Sequence, residues 1–449
     1  MLLIYLPAVS SRCEYIFELI FKNELNLKYR ITSDVQIFES YLQEKINYSF
    51  SRLGDEFFIW ASPLLFEDSI KKIDVIIEEK HQTKVLFPND TSCNMGFDIF
   101  SAIFFMVSRY EEYLPFAPDT HGRFKPTDSV AYKNNFLRVP VVDTWINRFK
   151  TVLRKKFPSI QIMPSTFKAL VTYDIDVAYK FKGRTLKRNT GATIKDLLKL
   201  DLKNIYSRFQ TLNNKQKDPW DVYDYVRETI VQNKLESIFF FLLGDASVHD
   251  RNLNYKNPLV KKLIDTIKSF SEIGIHPSYK TSAFPEKLLS EKKRLEQLSG
   301  KRIYKSRQHY LKFILPATYN SLIEAGITED YSMGFSALPG FRAGTCKPFY
   351  FYDLKNEKIT GLKIFPITFM EGSFIDYKKS LPSQALQDIF NLIEAVKNVQ
   401  GTFISIWHNN TLSDTREYRD WKNVHDQMIH FITRILCTNY TNGLHELHE

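Results

Sequence analysis

The sequence predicts an α/β protein in two parts: a smaller α/β domain over residues 1–160 and a larger parallel-sheet domain over 165–449. Two observations predict it. From 165 onward strand-like runs alternate with helix-length stretches over about 280 residues, the pattern of a parallel sheet, open or closed into a barrel. A chain of 449 residues exceeds one ordinary core, and its 44% apolar and 14% aromatic content can fill two or three. The same composition excludes a disordered chain.

The elements follow in order. Met1-Leu-Leu-Ile-Tyr-Leu-Pro7 lacks the basic start and long apolar run of a signal peptide and reads as a first strand. Phe57-Phe-Ile-Trp60 and Lys84-Val-Leu-Phe87 look like strands. Residues 97–110 look like a buried helix, stopped before Pro115. A polar loop, Asp119–Phe124, follows, and Val139-Pro-Val-Val-Asp143 leads into another helix. Pro158 to Pro164 is the expected joint. Beyond it, strands are expected at 168–174, 237–243, 272–275, 332–335, 362–366 and 402–407. Helices are expected at 219–233, 257–271, 316–325 and 383–398. In parallel α/β sheets and barrels, chemistry sits at the C-terminal ends of strands.

Net charge is +10. Much of it falls at 180–216, in Lys180, Lys182, Arg184, Lys187, Arg188, Lys195, Lys199, Lys203 and Arg208. Two readings stand: a solvated, partly helical insertion, or a surface for an anionic polymer or a lipid headgroup layer, hence peripheral contact with an anionic membrane. No nucleic-acid partner is expected. The four cysteines, Cys13, Cys93, Cys346 and Cys437, form no CxxC pair, which fits reduced thiols in a cytoplasmic protein. No run approaches the roughly 20 apolar residues of a membrane span. The 36 Phe and 24 Tyr serve core packing first; stacking against carbohydrate is a second use.

The chemistry-bearing residues begin with Leu170-Val-Thr-Tyr-Asp-Ile-Asp176. A strand alternates its side chains, so Asp174 and Asp176 point the same way at its end. Such a pair either caps a following helix or serves as a metal ligand beside a general base, a cation relieving the repulsion. His276 follows a short strand in Glu272-Ile-Gly-Ile-His276, as a structural histidine or a ligand. His309, in Ser306-Arg-Gln-His309, would complete an Asp-His-His set with open positions. Arg342, between Gly340 and Gly344, is either a surface arginine or the partner that keeps a carboxylate ionised. His408 ends a strand beside Trp407, as expected of a general acid. The chain has no GxSxG, Walker A, GxGxxG or HExxH motif.

Together these elements resemble the polysaccharide deacetylase family, carbohydrate esterase family four. Its Asp-rich first motif is matched by Thr172-Tyr-Asp-Ile-Asp176. Its His-Ser/Thr-x-x-His motif is matched only at His276, with Lys280 at the second histidine position; His309 is the proposed substitute. Its Arg-x-Pro-x-Gly motif resembles Arg342-Ala-Gly-Thr345 without the proline, and its Leu-x-His motif resembles Ile406-Trp-His408. The whole chain resembles a bacterial subgroup joining an uncharacterised N-terminal domain to such a domain. That likeness rests on Ser108-Arg-Tyr-Glu-Glu-Tyr-Leu-Pro115, His121-Gly-Arg-Phe124, Ser306-Arg-Gln-His309 and Trp407-His-Asn409.

The resemblance implies a distorted (β/α) barrel and a divalent metal, zinc first, held by Asp176, His276 and His309. It implies Asp174 as base, Arg342 orienting it, the Thr345 N–H as oxyanion donor and His408 as acid. The implied reaction is removal of an N- or O-acetyl group from a carbohydrate, in surface-polysaccharide metabolism. The alternative is a weakly active or inactive carbohydrate-binding or assembly protein on the same scaffold. Arg109, Glu111 and Glu112 are expected to pair among themselves rather than roof the cleft. Trp220 is a sugar platform or a core residue.

Overall fold

The computed structural model describes residues 1–89, 93–413 and 415–445, with side chains to 438. The chain is mixed α/β. Strands β1 (Leu2–Tyr5), β2 (Tyr29–Thr32), β3 (Lys45–Ser49) and β4 (Phe57–Trp60) form a parallel sheet in the order β2-β1-β3-β4. Strands β5 (Ile77–Lys80) and β6 (Thr83–Leu86) make an antiparallel hairpin. The helix Ile99–Val107 is buried on every side, as its unbroken apolar run requires.

Nine strands build the main sheet. They are β7 (Lys168–Ile175), β8 (Glu236–Phe241), β9 (Glu272–Ile275), β10 (Lys305–Ser306), β11 (Glu329–Asp330), β12 (Phe349–Asp353), β13 (Lys358–Ile364), β14 (Phe369–Met370) and β15 (Thr402–His408). Their order is β12-β13-β11-β10-β9-β8-β7-β15-β14, parallel throughout except for β12 against β13. Crossover helices include Tyr223–Gln232, Pro258–Ile267 and Pro382–Asn398. Central strands buried on both faces read as near-continuous apolar runs, which is why β7 and β8 stood out in the sequence. Along β7, Val171, Tyr173 and Ile175 join the main core, while Leu170 joins a smaller cluster with Ile238, Phe240, Ile404 and Ile406. Asp174 shares the face of Leu170 by the two-residue period.

Two expectations change. Among the described residues the ladder does not close into a barrel: the sheet is open, with β12 and β14 as its edges. The predicted strand at 332–335 is also absent, and a two-residue strand, β11, stands just before it. The reason is where the backbone bonds go. The Ser332 N–H donates to the Asp330 carboxylate and the Gly334 N–H to the Ser332 carbonyl. Farther on, Phe341 N–H donates to the Leu137 carbonyl, and the Gly344 carbonyl accepts from Val142. Within 332–335 the Met333 carbonyl accepts from the Ile367 N–H, outside any regular ladder, and it is residues 341–344 that are stitched to the N-terminal segment.

One continuous apolar core spans both segments of the chain. Polar ties reinforce it: the Tyr15 hydroxyl donates to the Tyr350 carbonyl at 2.7 Å, and Arg12 forks onto Glu357 at 2.9 and 2.5 Å. No helix among the described residues is long and apolar enough to cross a membrane.

Candidate active site

Asp174 and Asp176 leave the end of β7, His276 the end of β9, His309 the end of β10, Glu371 the end of β14, and His408 closes β15. Parallel strands point these ends the same way, so side chains distant in sequence meet at one edge of the sheet. They line a cleft of about 230 Å³ together with Arg123, Tyr310, Tyr377 and Tyr418. A larger hollow of about 1270 Å³ opens at the opposite, N-terminal ends of the strands. There Lys305 pairs with Glu272 and Glu329, and none of the converging histidines is present.

Asp176 lies at the centre. Its Oδ1 is 3.2 Å from His276 Nε2 and its Oδ2 3.3 Å from His309 Nε2. One ligand atom from each of the three lies within 4.8 Å of the others. Donors about 2.1 Å from a tetrahedral zinc ion stand about 3.4 Å apart, so the carboxylate–imidazole spacings fit one ion. The second nitrogen of each ring is committed. His276 Nδ1 is 2.5 Å from the Arg307 carbonyl, and His309 Nδ1 is 3.0 Å from Asp250 Oδ1. Both partners only accept, so each Nδ1 carries the proton. In a neutral ring Nε2 then aims its lone pair at a carboxylate, an arrangement that needs a cation between them. Asp176 Oδ1 is buried and makes no hydrogen bond. These residues fit a divalent metal.

Without such an ion, protons fill the same electrostatic need. Burial opposes charge on His309, but Asp176 and Asp250 outweigh it and push its pKa up to about 9. Burial likewise opposes a charged His408, and Glu371 with the two aspartates lifts it to about 10. Burial works to raise Asp176, but the surrounding histidines hold it well below the usual carboxylate range.

Two buried pairs flank the centre. Asp174 Oδ1 accepts from Arg307 Nη1 at 2.9 Å. That guanidinium also donates to Thr172 Oγ1 and the Tyr331 carbonyl, and stacks 4.4 Å over the Phe240 ring. His408 Nδ1 is 2.8 Å from Glu371 Oε1, which also accepts from the His408 N–H and the Thr411 hydroxyl. His408 Nε2 faces Asp176 Oδ2 at 3.7 Å. Tyr310 and Leu311 line the cleft with φ of 61° and 49°, a backbone conformation rarely held by such residues outside tightly determined sites.

Residues 2–158 match the model of a family described as a family of unknown function, DUF7033. No curated protein matches the chain. Solved structures similar to it include polysaccharide deacetylases. A candidate polysaccharide deacetylase from Mycobacterium smegmatis is 13% identical with a TM-score of 0.39, over 60% of this chain and 84% of that one. The polysaccharide deacetylase Bc1974 from Bacillus cereus is 12% identical with a TM-score of 0.30, over 60% and 88%. IcaB from Ammonifex degensii is 12% identical with a TM-score of 0.22, over 38% and 84%.

The structure brings together Asp174, Asp176, His276, His309 and His408. It does not bring Arg342 or Thr345 to them. Arg342 forks onto Glu112 at 2.8 and 2.5 Å and lies against the Phe313 and Phe335 rings. A buried guanidinium must be paired, and Glu112 from the N-terminal segment takes that place. Asp174 is held instead by Arg307, from the Ser306–His309 phrase. The Thr345 hydroxyl donates to Asp143 at 3.0 Å, outside the cleft. Arg109 pairs with Glu111 and Glu112, and Glu112 is thereby shared with Arg342. Trp220 is half-buried, its carbonyl accepting from Asn409.

Sequence reading missed Glu371 and Asp250. Both are fully buried carboxylates behind a histidine. The available signal was positional: each follows a strand end, Glu371 after Phe369–Met370 and Asp250 in the loop after β8.

Proposed function

We propose that this protein is a metal-dependent hydrolase that removes an N- or O-acetyl group from a carbohydrate, in bacterial surface-polysaccharide metabolism. One observation carries the reading. Asp176, His276 and His309 converge between a base candidate, Asp174–Arg307, and an acid candidate, His408–Glu371, and the ordered motifs of the resemblance supply most of these residues.

Asp176, His276 and His309 would hold the divalent cation, zinc first. When bound, such an ion polarises an acyl carbonyl and lowers the pKa of a nearby water. The chain's own groups do the rest. Arg307 holds Asp174 by its Oδ1, and Asp174 Oδ2, the oxygen not engaged by that guanidinium, accepts the proton of the attacking water. Asp250 fixes the His309 tautomer and Arg307 the His276 tautomer through their Nδ1 contacts. His408 Nε2 carries a proton to the departing nitrogen or oxygen, its ring held by Glu371 Oε1. Such a positioned acid contributes about 10² to 10⁴ in rate. Tyr310, Tyr377 and Tyr418 offer ring faces and hydroxyls to a sugar along the cleft.

The test is acetate release from N-acetylated and O-acetylated oligosaccharides, with and without added zinc. The expected result is release that chelation abolishes and zinc restores. A stoichiometric bound ion with no release from any acetylated saccharide would instead favour the binding or assembly role.

A further inference from the structure

The segment after Asp176 forms two helices, Leu186–Leu198 and Leu202–Leu212, joined through Lys199–Asp201. Their amphipathic order is inverted. A helical hairpin in water normally packs apolar residues between its helices and shows polar ones to solvent. Here the buried residues are all polar: Asn189 on the first helix, Arg208 and Thr211 on the second. Arg208 is the clasp. It donates to Thr193 Oγ1 at 2.5 Å and to Asp196 Oδ2 at 2.6 Å, and lies 5.1 Å over the Phe181 ring. Asn204 adds a 2.7 Å bond to the same carboxylate.

The apolar residues face outward. Leu186, Leu198 and Leu200 are 84, 81 and 80% exposed, and Leu202, Tyr206 and Phe209 are 64, 64 and 61% exposed. On the second helix 202, 206 and 209 follow the spacing of a single face. Exposed contiguous apolar surface of this kind marks an interaction site.

Charge selects the occupant. Residues 180–216 carry ten Lys and Arg against two Asp, a net +8 of the chain's +10. Lys187, Lys195, Lys199 and Lys203 are exposed around the leucines. A second copy would set the same positive surface against itself. An anionic bilayer accepts both features at once, apolar side chains at the acyl boundary and cations at the headgroups. We propose that this hairpin docks the protein peripherally on an anionic lipid surface. The inference is independent of the chemistry assigned to the cleft.

The full-length protein is pelleted with sucrose-loaded vesicles of phosphatidylcholine alone or with about a third phosphatidylglycerol, near 0.1 M salt, where screening is moderate. The expected result is sedimentation with the anionic vesicles only, falling severalfold as salt is raised. Leu198→Ser combined with Leu202→Ser should weaken it about tenfold or more, and each of Lys195→Gln and Lys199→Gln about fivefold. Those side chains are exposed, so circular dichroism and the thermal midpoint should stay at wild-type values. Wild-type protein that remains in the supernatant with anionic vesicles would overturn the proposal. So would serine variants that bind like wild type, which would mark a surface for any polyanion. Lipid-free dimers abolished by the serine changes would assign the face to a second copy and overturn it as well.

Discussion

Arg307→Met separates the two buried arginines. Arg307 Nη1 stands 2.9 Å from Asp174 Oδ1, both groups nearly sealed from solvent. At an effective dielectric of about 20 the gross attraction is about 6 kcal/mol. Removing one partner of a buried pair leaves the other charge uncompensated and costs about 3–5 kcal/mol. Were all 449 residues to unfold as one cooperative unit, that cost would lower Tm by about 4 °C. Methionine retains the contact with Phe240, so the fold should survive the loss. Turnover should fall by about 10² or more, because the base loses the group that orients it. Arg342→Met is the control: it should cost comparable stability through Glu112 while leaving turnover per folded molecule within severalfold of wild type. The assay pairs urea or thermal unfolding with acetate release at matched folded fraction. If Arg342→Met abolishes turnover in a folded protein while Arg307→Met keeps it, the assignment of the two arginines is wrong.

Asp174→Asn should retain a stoichiometric divalent ion by metal analysis and lose acetate release; wild-type turnover would remove Asp174 as the base. Asp250→Ala should weaken zinc about 10- to 100-fold by competition titration, since the carboxylate behind a ligating histidine sets its tautomer. In chelated protein, His309 and His408 hold their protons up to about 9 and about 10, above an unfolded value near 6.5. The stability they contribute is full below that value and is lost as pH rises through 9 and 10. Zinc requires His309 Nε2 unprotonated, so the loaded protein should gain stability over part of the range where the chelated protein loses it. Urea midpoints between about pH 6 and 10, with and without zinc, read this directly, and parallel slopes would refute it.

Much of the site was legible because its signals are local. A two-residue period puts Asp174 and Asp176 on one face, and a short apolar run ending in histidine marks a strand exit at His276 and at His408. The arginine was harder to place. Arg307 and Arg342 both lie in short polar phrases, and only the pairing of β10 with β9 and β11 sets Arg307 opposite Asp174. The supporting carboxylates Glu371 and Asp250 carry no motif, because a group that orients another by one hydrogen bond can come from any nearby loop. In the fold, long buried strands such as β7, β8 and β15 announced themselves by composition. The two-residue strands β10, β11 and β14 could not, since so short a run has no period, and the sheet's centre depends on β15 pairing with β7 far back along the chain.

The shared apolar interior has a practical corollary for anyone dividing the molecule. The stretch Pro158 to Pro164 looks like a natural place to sever it, and the family match ends at its first residue. Yet Tyr15 rests against Tyr352 at 5.0 Å, and Glu112 neutralises Arg342 from across that junction. A gene truncated there would yield one polypeptide with a naked aromatic wall and an orphaned guanidinium, and another with the matching scar. Each half is a solvent the other requires.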